Sequence, residues 1–266
     1  MKIGILSKRT GFFTEKLKDY FENKGHNVKV YTKENLCINK TLLENDLYVM
    51  KSKDQIPFVY AGYYAEVNGI PVIPNTEISY KHKNRLEAHL LIKNAGLLSP
   101  PYYYGTIESL KNNLKDKDFP LILKPINSSG SVGIKIINSI NQIDEICVDT
   151  NEILYLENFI NGTHYIVYFI GTEICTLEKV PLENEHSEMT KVDTSEDIKT
   201  LIFKWKSKYN LLFGHLDIVK ETDSGTLYIV DSGTFPQFVN WKCEGDPVSK
   251  IANLILKKYE ELKSKL

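Results

Sequence analysis

Between Phe119 and Ile137 the chain reads FPLILKPINSSGSVGIKII. An apolar run fit for a buried strand ends in Lys124, breaks at Pro125 into serines and glycines, and resumes as a second apolar run. Two strands joined in this way form either an ordinary β-hairpin or a strand, loop and strand that wrap an anion. In a hairpin, Asn127, Gly130 and Gly133 supply left-handed turn angles and Lys124 is solvated at the sheet edge. In an anion loop, backbone N–H groups and serine hydroxyls surround phosphate oxygens while the ammonium neutralises them. The stretch by itself is compatible with both.

Composition narrows the choice. With 266 residues, 42% of them hydrophobic and 25% charged, the chain has room for a sizeable core and is not disordered. Thirty-three Lys and Arg against 34 Asp and Glu give no net positive field, and no basic stripe interleaves with aromatics, so nucleic acid is not an expected partner. Arg9 and Arg85 are the only arginines, so a phosphate site here must lean on lysine and backbone amides. The four cysteines (Cys37, Cys147, Cys175, Cys243) are widely spaced with no C-x-x-C pair, and read as reduced core thiols. The opening MKIGIL is too short for a signal peptide and no eighteen-residue apolar run occurs, so a soluble, cytoplasmic protein without membrane partners is expected.

Residues 1 to about 80 alternate strand-like and helical patterns. KIGIL (2–6) is a strand, Thr14 is placed to cap a helix bearing Leu17, Tyr20 and Phe21, and NVKVY (27–31), DLYVM (46–50), a helix near 58–68 and IPVIP (70–74) continue the alternation. This is the pattern of a small parallel α/β unit. A helix over Asn84 to Asn94 stops at Gly96 and a Pro100-Pro101 junction; beyond it lie a YYYG strand, a helix near Ile107 to Leu114, the hairpin, the strand ILYLENFI (153–160) and antiparallel strands through Leu177. The polar stretch from Leu182 to Glu196 reads as a mobile loop. A helix from Ser195 to Tyr209, strands GHLDIV (214–219) and LYIVDS (227–232), and a last helix capped by Asp246 with Pro247 in its first turn complete the chain.

The late hairpin carries a second chemical signal. Asp217 and Asp231 lie seven residues to either side of Ser224 in the turn Asp223-Ser224-Gly225, so a hairpin centred there opposes them directly. Carboxylates with Cβ atoms about 5 Å apart repel, and a divalent cation offsets that repulsion. A register slipped by one residue instead puts them on opposite faces and removes the need for metal.

Taken together, an N-terminal α/β unit, a K-P-x-x-x-S-G-S-x-G-I loop, a strand ending ENFI-x-G and an acidic hairpin, in that order, resemble the ATP-grasp superfamily over nearly the whole chain. MKIGILSKR and GHNVKVY are similar to the first βαβ unit of its carboxylate–amine ligase branch, which includes enzymes that add glutamate to a ribosomal protein. The resemblance implies an α/β (α+β) fold with a small N-terminal domain (1–80), a central subdomain with the phosphate loop (81–157) and a C-terminal subdomain with the metal site (158–266). It implies ATP and Mg²⁺ as cofactors, with Lys124 on nucleotide phosphates, Ser128, Ser129, Gly130, Ser131 and Gly133 in the closing loop, and Glu157, Asn158 and Ile160 in the hinge that meets adenine. It further implies Lys179 near the γ-phosphate, Asp217 and Asp231 on metal, and Arg85, or Lys83 if the helix shifts, where an upstream lysine is usual. Departures accompany it: Asp231-Ser232-Gly233 stands where acidic-x-Asn is usual, and His164 where a ribose-binding glutamate is common. Gln237, Asn240 and Trp241, in GTFPQFVNW, border the expected cleft as substrate contacts; plain loop packing is the other reading. The expected activity is ATP-dependent, ADP-forming ligation of a small-molecule or peptide carboxylate to an amine through an acyl phosphate, and a homodimer is common among such relatives. A small-molecule kinase of the inositol phosphate type, or a non-catalytic nucleotide-binding protein, are the alternatives.

Overall fold

The computed structural model describes residues 1–52, 56–126, 133–146, 152–180 and 189–264. The expected α/β class is what it shows, built on three sheets. The first is parallel, in the order β2-β1-β3-β4, from β1 (Lys2–Leu6), β2 (Asn27–Tyr31), β3 (Leu47–Met50) and β4 (Val72–Ile73), with α1 (Phe12–Asn23) and α2 (Ile56–Val67) as crossovers. All four residues of β3 are buried, as a parallel strand covered on both faces requires. The α1 helix begins three residues before the sequence suggested, with Gly11 instead of Thr14 at its N-cap. Thr14 is not the cap because its hydroxyl is buried 3.1 Å from Ser7 Oγ, a tertiary partner that replaces the capping role.

Two asparagine-capped helices follow, α3 (Thr76–Lys81) and α4 (Arg85–Asn94); Asn75 accepts from the Ile78 N–H at 2.9 Å and Asn84 from the Leu86 N–H at 2.9 Å. The second sheet, β5-β8-β6-β7, joins antiparallel pairs of β5 (Tyr102–Gly105), β6 (Leu121–Lys124), β7 (Lys135–Ile137) and β8 (Leu154–Asn158), with α5 (Ile107–Asn113) and the short α6 (Asn141–Asp144) packed on it. The third, β11-β10-β9-β12-β13, is antiparallel throughout: β9 (Gly162–Ile170), β10 (Glu173–Lys179), β11 (Thr190–Val192), β12 (Phe213–Glu221) and β13 (Leu227–Gly233).

Strand alternation gives this third sheet two apolar faces. Tyr168, Ile170, Cys175, Leu177 and Phe213 pack toward α1, the first sheet and the terminal helix α8 (Pro247–Lys263), while Val167, Phe169, Leu216 and Ile218 pack toward α4 and α7 (Glu196–Tyr209), around the fully buried Trp205. The sheet is thereby the middle layer of the molecule. Gly162 leaves room for the backbone of β12 beside β9: a Cβ there would sit 2.0 Å from the Lys220 carbonyl oxygen.

Two expectations are corrected. The polar segment after Leu182 is not a loop throughout, since Thr190–Val192 pairs with β10 as the edge strand β11; residues 181–188, including His186, lie outside the described set. A three-residue edge strand of Thr, Lys and Val hides from sequence reading because one of its edges is unpaired and it is too short to impose an apolar alternation. Nor are all the cysteines free thiols: Cys175 and Cys243 form a disulfide with Cα atoms 5.8 Å apart, joining β10 to the segment before α8. A separation of 68 residues carries no sequence signal of that pairing. Cys37 is free and exposed, and Cys147 is outside the described residues. Among the described residues no helix is long and apolar enough to cross a membrane.

Candidate active site

The acidic hairpin pairs as its spacing suggested, by an unexpected route. Asp217 is the register partner of Asp231, yet the next pair is Ile218 with Ile229, so Val230 is an extra residue in β13. This β-bulge lets Ile229 join the apolar face with Ile218 while Asp231 turns to the face that carries Asp217. It also presents the Val230 carbonyl, which accepts a hydrogen bond from Lys124 Nζ at 3.0 Å.

Three cations converge on the same place from three elements. Lys179 at the end of β10 holds Asp217 Oδ2 at 3.0 Å; Arg85, the first residue of α4, holds Asp231 Oδ2 at 3.1 Å; Lys124 at the end of β6 is buried against Glu157. Glu157 stands opposite Ile122, two residues before Lys124, so their pairing is the diagonal contact of neighbouring antiparallel strands. Arg85 also ties down the entry to the glycine-serine loop, its Nε donating to the Pro125 carbonyl at 3.0 Å and its backbone N–H to that of Ile126 at 3.0 Å.

The electrostatics follow. Burial alone would raise the Asp231 carboxyl, but Arg85, Lys124, His215 and the Ser232 N–H, 2.8 Å from Oδ1, hold it well below the usual carboxylate range. His164, register partner of Lys179, is pushed down to about 4 by burial and by the Lys179 and Lys124 ammoniums, which outweigh Asp217. It is a neutral imidazole, and it lines with Thr163, Glu178, Lys179 and Thr190 an open cleft of about 340 Å³.

Among the buried atoms of the described residues that lack a hydrogen-bond partner are Arg85 Nη2, which wants an acceptor, and Asp217 Oδ1, which wants a cation or donor. An anion together with a divalent cation supplies both. Among the described residues no cluster of three or more His, Cys, Asp and Glu side chains could hold a metal by itself. The pair Asp217 and Asp231 nonetheless suits magnesium, which takes one or two carboxylates and completes its shell with water and phosphate oxygens.

The remaining candidates are placed as follows. Ser128, Ser129, Gly130 and Ser131 lie outside the described residues. Gly133 closes that loop at φ +80°, with an added Cβ only 2.8 Å from Pro125 Cγ, so glycine is required there. Glu157 lies near the end of β8 with its carboxylate paired with Lys124; the Asn158 and Phe159 amides donate to Pro101 and Pro120 carbonyls at 2.9 and 3.1 Å. Ile160 is buried just beyond. Lys83 stands in the turn between α3 and α4, its amide donating to the Tyr80 carbonyl at 2.8 Å, and Arg85 is the residue that reaches Asp231. Gln237 is exposed and Asn240 half-buried, while Trp241 packs edge-on against Phe238 with its indole N–H unpartnered. Sequence reading missed the Glu157 partner of Lys124 and the Val230 bulge; an acidic residue inside the apolar run ILYLENFI was the available signal for the first.

No protein-family model matches the chain. It is 30% identical over 84 residues to the formate-dependent phosphoribosylglycinamide formyltransferase of Bacteroides fragilis, covering 31% of this chain and 22% of that protein. It is 26% identical over 95 residues to the D-alanine–D-alanine ligase of Aquifex aeolicus, covering 34% and 33%. The chain thus matches about a fifth to a third of the length of these curated relatives. Solved structures match over nearly all of it: a RimK domain protein from Sphaerobacter thermophilus (TM-score 0.76, 12% identity, 96% of this chain and 100% of that one), the D-alanine–D-alanine ligase of Bacillus anthracis complexed with ATP (0.69, 14%, 100% and 99%), and the ligase PsnB complexed with minimal precursor, Mg and ADP (0.71, 12%, 97% and 98%).

Proposed function

We propose, for a chain that has the ATP-grasp fold, that it is an ATP- and magnesium-dependent, ADP-forming ligase joining a carboxylate to an amine through an acyl phosphate. The observation that carries this reading is the opposed pair Asp217 and Asp231 met by Lys179 and Arg85, with Lys124 beside them on the Val230 carbonyl, from three separate elements. Two proteins of the same fold, bound to ATP and to Mg with ADP, lend it support.

In this reading an oxygen of the substrate carboxylate attacks the γ-phosphorus of ATP and ADP departs. The amine nitrogen then attacks the acyl carbon, phosphate leaves with the C–O electron pair, and the amine proton passes to solvent. The protein contributes position and charge, with no covalent nucleophile. Lys124 and Lys179 neutralise the phosphates, Arg85 gives its unpartnered Nη2 to a phosphate oxygen, and Ser128, Ser129, Gly130, Ser131 and Gly133 are assigned as phosphate contacts on the resemblance alone. Asp217 and Asp231 would hold magnesium, which when bound supplies charge neutralisation to the phosphate oxygens. Backbone at Ile160 would meet the base, His164 the ribose, and Gln237, Asn240 and Trp241 the acid or amine. PsnB, solved with a precursor peptide, makes a peptide carboxylate a substrate to try beside small acids. ATP consumption suits a cytoplasmic location.

Hydroxylamine trapping tests the chemistry. A hydroxamate formed with ADP, dependent on an added acid, supports the acyl phosphate; ADP formation with a phosphorylated alcohol and no hydroxamate would replace it with a kinase.

A further inference from the structure

Behind Lys124 runs a buried chain of hydrogen bonds that the mechanism above leaves unused. Ser99 Oγ lies 3.0 Å from His89 Nε2, His89 Nδ1 lies 3.3 Å from the Tyr155 hydroxyl, and that hydroxyl lies 3.2 Å from Glu157 Oε2. The other carboxylate oxygen, Oε1, is paired with Lys124, whose Nζ reaches the bulge carbonyl of Val230. His89 is 7% exposed, and Tyr155 and Glu157 are 2% exposed, so water does not serve these groups and each must find its partner within the protein.

The direction of every bond in the chain follows from chemistry. A carboxylate only accepts, so the Tyr155 hydroxyl donates to Glu157 and its oxygen is left to accept from His89. Nδ1 therefore carries the imidazole proton, and Nε2 accepts from Ser99. One neutral tautomer satisfies all four members at once. Packing holds the rings as well, since Tyr102 lies edge-on to His89 at 4.2 Å and stacks on Tyr155 at 5.9 Å.

We infer that Ser99, His89 and Tyr155 are positioning residues for Lys124: they fix the Glu157 carboxylate, which in turn aims the ammonium at the nucleotide phosphates beside the β13 bulge. The inference rests on the reading that Lys124 meets those phosphates. A network that served only to fill its own hydrogen bonds would affect folding and leave nucleotide affinity alone.

The test titrates the full chain with Mg²⁺ and a non-hydrolysable ATP analogue by calorimetry, and measures the urea midpoint of each variant alongside. Tyr155→Phe keeps the ring and removes one donor; His89→Leu breaks the chain, while His89→Asn restores a donor near Nδ1. Loss of an outer partner of this kind weakens binding by about 10- to 100-fold at metal sites, and a Kd raised by about 10-fold is expected here for Tyr155→Phe and His89→Leu. His89→Asn should recover part of it, and Ser99→Ala, at the outer and half-buried end, should raise Kd less. Wild-type Kd in folded Tyr155→Phe and Ser99→Ala would overturn the relay. So would affinities in His89→Leu and His89→Asn that simply follow their urea midpoints. No binding by the wild-type chain would instead sink the nucleotide reading itself, and the relay with it.

Discussion

Asp217 and Asp231 are register partners, and each is closed by a different cation: Lys179 lies 3.0 Å from one and Arg85 3.1 Å from the other. In the nucleotide-free chain the repulsion of the paired carboxylates is thus offset from within the protein. A dication arriving alone meets lysine and arginine already in place; arriving with phosphate, it brings oxygens that draw those cations away. Calorimetric titration with magnesium chloride alone is expected to show no binding in the millimolar range where the nucleotide complex binds. Saturable metal binding to the free chain would contradict this.

Lys124 and Glu157 form a pair whose side chains keep only 7% and 3% of their surface. Removing one member of such a pair leaves a buried charge without a partner, a loss of about 3–5 kcal/mol. Lys124→Ala is expected to lose that much in urea denaturation, and Lys124→Met combined with Glu157→Gln to recover most of it. A stability unchanged in Lys124→Ala would place the ammonium in solvent.

Two buried histidines set the acid limb. Burial with Lys124 and Lys93 nearby pushes His89 down from 6.5 to about 4, and burial with Lys179 and Lys124 nearby does the same for His164. Between those values the unfolded chain binds protons that the folded chain refuses, so stability falls as pH drops from 6.5 toward 4 and is indifferent above. Asp231, depressed by Arg85 and Lys124 against the opposing effect of burial, acts in the same sense at lower pH: its contribution is full above the ordinary value and lost as pH falls toward the folded one. Urea midpoints across this range should decline toward acid, less steeply in His164→Asn.

Gly133 sits at φ +80° with Pro125 Cγ where a Cβ would go. Gly133→Ala is expected to destabilise by about 1–2 kcal/mol through the left-handed backbone alone, and to weaken nucleotide binding beyond that by displacing the end of the loop. Unchanged binding would detach this glycine from the phosphate site.

How much of this was legible beforehand depended on how local the signal was. The spacing about Ser224 led to the opposition of Asp217 and Asp231, but the turn by itself sets Lys220 opposite Leu227 and would bring Val230 to Asp217; the bulge restores the pairing, and it could not be read because it depends on which face Ile229 must join once α4 and α7 are packed. Lys124 announced itself as an ammonium ending an apolar strand, but its partner comes from a strand more than thirty residues away, and Glu157 was read only for its place in the hinge segment. Arg85 was found through its place before Pro100-Pro101, whereas its bond to Asp231 spans 146 residues. The Cys175–Cys243 bridge and the His89–Tyr155 contact are likewise pairings that only the folded sheets bring together.

The central claim is that Asp217, Asp231 and the three cations hold a magnesium nucleotide. Calorimetry of the wild-type chain, Asp217→Asn and Asp231→Asn with a non-hydrolysable ATP analogue, with and without magnesium, tests it most directly. Binding that needs magnesium in the wild type, and that loses this dependence in both variants, is the result the account predicts; equal affinity with and without the metal, or carboxylate variants that bind as the wild type does, would contradict it.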